Sequence, residues 1–164
     1  MRLLSIFYFL VLVGCSQKQN EESYPEQVGD ITPDAGLDDP GFRLCSERNV
    51  AQYYNFIGFQ FEGEKPAIED HFRPIRAKQY GSKSGYITVR FVVNCKGESG
   101  RFRVEQQNTE FQPAELPADL VKDLLRLTKS LRGWQPATYE QREYDYYQYL
   151  TFKIDEGHLL EILP

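Results

Sequence analysis

Between Tyr86 and Val93 the chain alternates without a break. Ile87, Val89, Phe91 and Val93 fall on one side, and Tyr86, Thr88, Arg90 and Val92 on the other. A period of two belongs to a β-strand, whose successive side chains point to opposite faces. Residues Tyr144 to Ile154 repeat the pattern. Tyr144, Tyr146, Gln148, Leu150, Phe152 and Ile154 share one face, and Tyr147, Tyr149, Thr151 and Lys153 share the other. Lys96-Gly97-Glu98-Ser99-Gly100 supplies a turn after the first strand. Phe102 and Val104, alternating with Arg101, Arg103 and Glu105, return the chain as a hairpin partner. Asp155-Glu156-Gly157 reads as a second turn, with a short final strand from His158 to Leu163.

The period changes between the hairpin and the second long strand. Leu120, Leu124, Leu127 and Leu131 form a helical stripe, widened by Val121, Leu125 and Thr128. Pro117 suits the first turn, Asp119 the positive end of the helix dipole, and Gly133 the stop. Lys122, Arg126, Lys129 and Arg132 lie mostly off the stripe and read as a solvated face. An earlier helix opens at Pro66, aligns Ile68 with Phe72 and ends at Pro74. Before it, Ser46 is expected to cap a short helix carrying Val50, Tyr53 and Tyr54, and Phe56 to Phe61 reads as a short strand. The order implies an α+β fold: an antiparallel sheet with helices packed on one face. Trp134, just after the helix stop, is expected to plug the helix–sheet core.

The N-terminus has a different character. Arg2 precedes an uncharged run from Leu3 to Val13. That run is shorter than the roughly 20 residues a membrane-spanning helix needs, and it suits the apolar region of a secretory signal. Leu12-Val13-Gly14-Cys15 resembles the lipobox of bacterial lipoproteins. The resemblance implies a signal peptide at 1–14, lipidation of Cys15 by chains such as palmitate, and an envelope protein of a Gram-negative bacterium. Ser16, where Asp would favour the inner membrane, points to the outer membrane, on its periplasmic side or surface. Residues 15–41 hold the lipid site and then a polar stretch broken by Pro25, Pro33, Pro40, Gly29, Gly36 and Gly41, which reads as a flexible tether. Asp30, Asp34, Asp38 and Asp39 miss the calcium-loop spacing and read as solvated linker acids. The folded domain, with an N-terminal extension, then covers 42–164. Export permits a disulfide, for which Cys45 and Cys95 are the pair beyond the lipid site; the alternative is two separate buried thiols.

Several function classes fall away. The net charge is −5, from 19 basic and 24 acidic residues, without a basic run. Nucleic acid is therefore not expected as a partner, because phosphate contacts need clustered Lys and Arg. His71 and His158 are the only imidazoles. No nucleophile motif, Gly-rich phosphate loop or zinc spacing accompanies them, so the chain reads as non-catalytic, with no cofactor or metal. Arg101 and Arg103 project from one hairpin face, either to hold an anion or as a solvated strand face.

Four short segments resemble the C-terminal domain of energy-transducing TonB proteins, over roughly residues 58–156. Phe61-Glu62-Gly63-Glu64-Lys65-Pro66-Ala67-Ile68 is similar to its opening. Gly85 to Val93 is similar to its Gly-x-Val-x-Val-x-Phe-x-Val strand, with Lys96-Gly97 at its turn. Trp134-Gln135-Pro136-Ala137 resembles the Trp-x-Pro-Ala after its helix, and Tyr149 to Ile154 its last strand. Glu115-Leu116-Pro117-Ala118 departs from the family's usual residues before that helix. The family's N-terminal transmembrane helix and long Pro-rich span are replaced here by a lipid site and a short linker. The resemblance therefore implies the fold and a binding mode, without energy transduction.

That binding mode is the addition of a partner's extended peptide to the sheet edge at the last strand. The partner would be a TonB-dependent receptor or another envelope complex. Tyr86, Tyr147, Tyr149, Thr151 and Lys153 are the contact residues implied. The competing reading is an adaptor lipoprotein that docks an outer-membrane complex through the sheet face. Two features bear on both: residues 42–61 folding back over that face, and a strand at 158–163 covering the edge.

Overall fold

The computed structural model describes residues 29–47, 50–52 and 60–163. The expected signal peptide, Cys15, Tyr53, Tyr54 and the run from Phe56 to Phe59 lie outside the described residues. The described elements are β1 (Val50–Ala51), α1 (Glu64–Arg76), β2 (Gly85–Val93), β3 (Ser99–Gln107), α2 (Ala118–Ser130), β4 (Ala137–Tyr139), β5 (Arg142–Asp155) and β6 (His158–Leu163). They form an α+β fold with a six-stranded sheet.

The long strand β5 organises the sheet. Along one edge it pairs antiparallel with β2, from Gly85 opposite Ile154 to Val93 opposite Tyr146. The far edge of β2 pairs antiparallel with β3. β6 pairs antiparallel with Thr151 to Asp155 of β5, and β4 with Arg142 to Tyr144. β1 runs parallel to Asp145 and Tyr146, so the sheet is mixed rather than antiparallel. The cause is covalent and polar. Cys45 is bonded to Cys95, just beyond the end of β2, which places the entering chain where β5 begins. The buried Asp145 carboxylate then accepts the Ser46 N–H at 2.7 Å and the Cys95 N–H at 2.8 Å. Val50 therefore lies in a strand rather than in the helix expected after Ser46.

Alternation decides which face is buried. Ile87, Val89, Phe91 and Val93 join Leu150, Phe152 and Ile154 in one core with Ile68, Phe72 and Ile75 of α1 and Leu120, Leu124 and Leu127 of α2. Trp134 plugs this layer as expected, its ring 4.8 Å from Phe61 and 5.1 Å from Phe91 between centroids. Pro74 does not end α1, which continues to Arg76. It sits in the last turn, where its missing N–H frees only the carbonyl of Asp70, an exposed residue. Helix α2 stops at Ser130, before Gly133, because Leu131 turns to extended backbone at ψ 132°. The β4–β5 hairpin went unread because its turn residues, Glu140 and Gln141, hold φ of 47° and 63° without the usual Gly or Asn.

Candidate functional site: the sheet face opposite the helices

The side chains that alternate with the core form a second face across β3, β2 and β5. Register places Arg103, Arg90 and Tyr149 in one row, Glu105, Thr88 and Thr151 in the next, and Gln107, Tyr86 and Lys153 in a third. The face has two halves with different fates.

One half is covered by residues 29–47. Residues 29–41, assigned to the tether for their Pro and Gly content, are held against the sheet. Ile31 is buried there. Arg103 donates to both carboxylate oxygens of Asp38, at 2.6 and 3.1 Å, and to the Thr32 carbonyl at 2.7 Å. Arg90 donates to the Gly29 carbonyl and, at 3.1 Å, to Glu105. Arg101 grips both oxygens of Glu47 at 2.9 and 3.0 Å. Asp34 and Asp39 close local turns by accepting the Gly36 and Gly41 N–H groups, at 2.8 and 2.7 Å. Further along, the Phe42 ring lies against Gly100, where a Cβ would come within 2.3 Å of it. Asn94 Nδ2 donates to the Arg43 carbonyl at 3.0 Å. The disulfide closes the strap with a Cα–Cα distance of 6.0 Å.

Electrostatics follow this packing. The hydrogen bond from Arg103 holds the Asp38 carboxyl below its ordinary range, against the opposing effect of burial. The Tyr147 hydroxyl is pushed up, first by burial and then by its hydrogen bond with Asp30.

The other half is reached by the loop at 108–112. The Tyr86 ring stacks on Phe111 with centroids 5.1 Å apart and planes 12° from parallel. Phe111 is 63% exposed, at the tip of a loop in which Asn108 Oδ1 accepts the Glu110 and Gln112 N–H groups at 3.0 and 2.9 Å. Thr88 and Thr151 hydroxyls meet at 3.0 Å. Lys153 stands between Tyr86 on β2 and Glu161 on β6 in the register. The result is a half-exposed surface of stacked rings, hydroxyls and the Lys153 cation.

The contact residues implied by sequence therefore separate. Tyr86, Thr151 and Lys153 lie together on the half away from the strap, and Tyr147 is engaged by the strap. Tyr149 extends the same face, its N–H donating to Gln148 Oε1 at 2.8 Å. Phe111, Glu105 and Arg90 belong to the face and were not singled out by sequence; Arg90 was legible as the polar partner of Val89 and Phe91. The edge expected to receive a peptide is occupied from Thr151 to Asp155 by β6. His71 Nε2 lies 3.1 Å from the Leu127 carbonyl and 3.0 Å from Ser130 Oγ, tying α1 to α2. His158 opens β6, away from it. Cys45, Cys95 and Asp145 sit close enough to suggest a metal cluster. Their sulfurs are bonded to each other, and the carboxylate accepts two amide hydrogens. No described helix is long and apolar enough to cross a membrane. Comparison with family models, with curated proteins and with solved structures finds no match to this chain.

Proposed function

We propose that this chain is a non-catalytic envelope lipoprotein, anchored by lipid at Cys15, whose TonB C-terminal-like domain docks a protein partner on the half of its sheet face away from residues 29–47. The observation that carries the reading is the Tyr86–Phe111 stack beside Thr88, Thr151 and Lys153, with Phe111 mostly exposed. Aromatic rings with polar neighbours are the usual anchors of protein interfaces. Docking on the face, as an adaptor does, is favoured over strand addition at β5, because β6 pairs with that edge.

Two of the segments that carry the family resemblance meet in the fold. A Cβ on Gly97, the turn glycine, would lie 2.3 Å from the carbonyl oxygen of Trp134, the residue after the helix. Those two short motifs touch, which gives position 97 a reason to be glycine.

The test is photocrosslinking in intact cells, with a photoreactive residue replacing Tyr86 or Phe111 and a control at Lys122 on α2. A discrete protein adduct from the two face positions, absent from Lys122, is the expected result. No adduct from the face, or the same adducts from all three positions, refutes the proposal. Palmitate labelling, lost in Cys15→Ala, tests the anchor separately.

A further inference from the structure

Arg90 and Arg103 stand directly opposite one another in the β2–β3 register. Like charges in that position repel, so oxygen acceptors must come from elsewhere. Most come from the strap: Asp38, the Thr32 carbonyl and the Gly29 carbonyl, with Glu47 on the adjacent Arg101. The strap is built for this. Residues 29–47 contain Asp30, Asp34, Asp38, Asp39 and Glu47 against one cation, Arg43.

Its two ends are held differently. The C-terminal end is fixed by the Cys45–Cys95 bond and by Phe42 on Gly100. In the N-terminal part, residues 29–41, Ile31 is the one buried residue, and residues 32–37 are exposed. What remains there is ion pairing and hydrogen bonding, which another acidic chain reproduces. Two further cations and Glu98 lie beside the strap. A cavity of about 460 Å³ opens between Leu37–Asp39 and the end of α2, and it is lined by Lys129 and Arg132. Among the described residues neither cation meets a carboxylate.

We propose that Arg90 and Arg103 form a docking site for an extended acidic segment of a protein partner, which displaces residues 29–38 and takes over their contacts. The chain's own strap fills the site until then. The proposal concerns the covered half of the face, so it stands or falls apart from docking at Tyr86 and Phe111.

The probe is a fluorescently labelled synthetic peptide with the sequence of residues 29–41, added to the full mature chain and followed by anisotropy. Binding to wild type is opposed by the tethered copy, since apparent affinity scales with the fraction of competent protein. Asp38→Asn weakens that copy and is expected to raise the peptide's affinity by roughly tenfold or more. A peptide with every Asp replaced by Asn is expected not to bind, and adding Arg103→Gln to the Asp38→Asn chain is expected to abolish binding. Ile31→Ser serves as a second strap-weakening variant if Asp38→Asn does not fold. Equal affinity for wild type and both strap variants, binding that ignores Arg103→Gln, or no binding to either variant at about 1 mM peptide overturns the proposal.

Discussion

Asp38→Asn is the sharpest test of how the strap is held. The substitution keeps the side-chain shape and removes its charge. Asp38 and Arg103 side chains are 12% and 23% exposed, so their pairing is shielded from solvent, unlike the surface ion pairs that contribute little. Hydrogen bonds to charged groups contribute about 1.5–3 kcal/mol. Losing that much raises the opening equilibrium of the strap roughly 10- to 150-fold. Against it stands the ordering cost of about 1–2 kcal/mol per residue of fixed backbone, offset in residues 29–41 by one buried apolar side chain. Hydrogen exchange reads the outcome at two amides inside the strap, Leu37 and Asp38, which donate to the Asp34 carbonyl at 3.2 and 2.8 Å. Their protection is expected to fall by that factor while Val89, fully buried in β2, keeps its own. If Val89 and Asp38 lose protection by the same factor, the strap opens only when the domain unfolds and the reasoning fails. Acid gives the same result by titration. The folded carboxyl is held below its ordinary value by Arg103, so its contribution is present above the unfolded value and is lost as pH falls through the lowered folded one.

Three further substitutions probe what anchors the strap. Replacing Cys45 and Cys95 together by Ser opens a covalent loop with a sequence separation of 50 residues, and the chain-entropy estimate gives a loss of about 4 kcal/mol; an unchanged urea midpoint would mean that other contacts already close the loop. Asp145→Ala strands the Ser46 and Cys95 N–H groups beside a buried position, at about 1–3 kcal/mol for each buried unsatisfied donor; a thermal midpoint within error of wild type refutes this. Gly100→Ala drives a methyl into the Phe42 ring and is expected to destabilise by about 1–3 kcal/mol; in a Phe42→Ala background that loss should largely vanish, and if it persists the clash is not the cause.

The sequence carried the faces better than it carried what lies over them. Strands β2 and β5 were legible because period-two alternation places Phe91 and Phe152 inward whatever the rest of the chain does. Tyr86 and Tyr147 share one face by that rule, yet one stacks on an exposed loop and the other meets Asp30. Alternation assigns a side and says nothing about cover. The strap was hidden for a related reason. Pro, Gly and Asp suit a solvated linker and suit equally a segment closed by short Asp-capped turns, as Asp34 and Asp39 close theirs. Only the pairing with distant Arg103 distinguishes them, and that pairing has no local signature. The parallel direction of β1 was out of reach too, since it follows from a bond to Cys95 and from Asp145, far along the chain.

The β3 edge bears on docking at the face. Strand addition needs a run of outward-facing peptide groups, and the outer edge of β3 offers little of that among the described residues. β5 has β2 on one side and β6 on the other from Thr151 to Asp155. The outer edge of β3 is taken at its C-terminal end, where Ala114 donates to the Gln106 carbonyl at 3.2 Å and Asn108 to the Gln112 carbonyl at 2.9 Å. Toward its other end, the register slips opposite Arg90 to Val92, and Arg101 adopts φ 55°, a bulge of the kind that spoils edges for pairing. Peptide groups along a strand face alternate sides, so between these two devices Val104 is left as the regular outward-facing residue. One residue offers two hydrogen bonds at most, too few to align a partner strand. A partner that nevertheless bound by strand addition there would protect the Val104 amide from exchange; one that docks on Tyr86 and Phe111, or on the arginines beneath the strap, would leave that amide as it is.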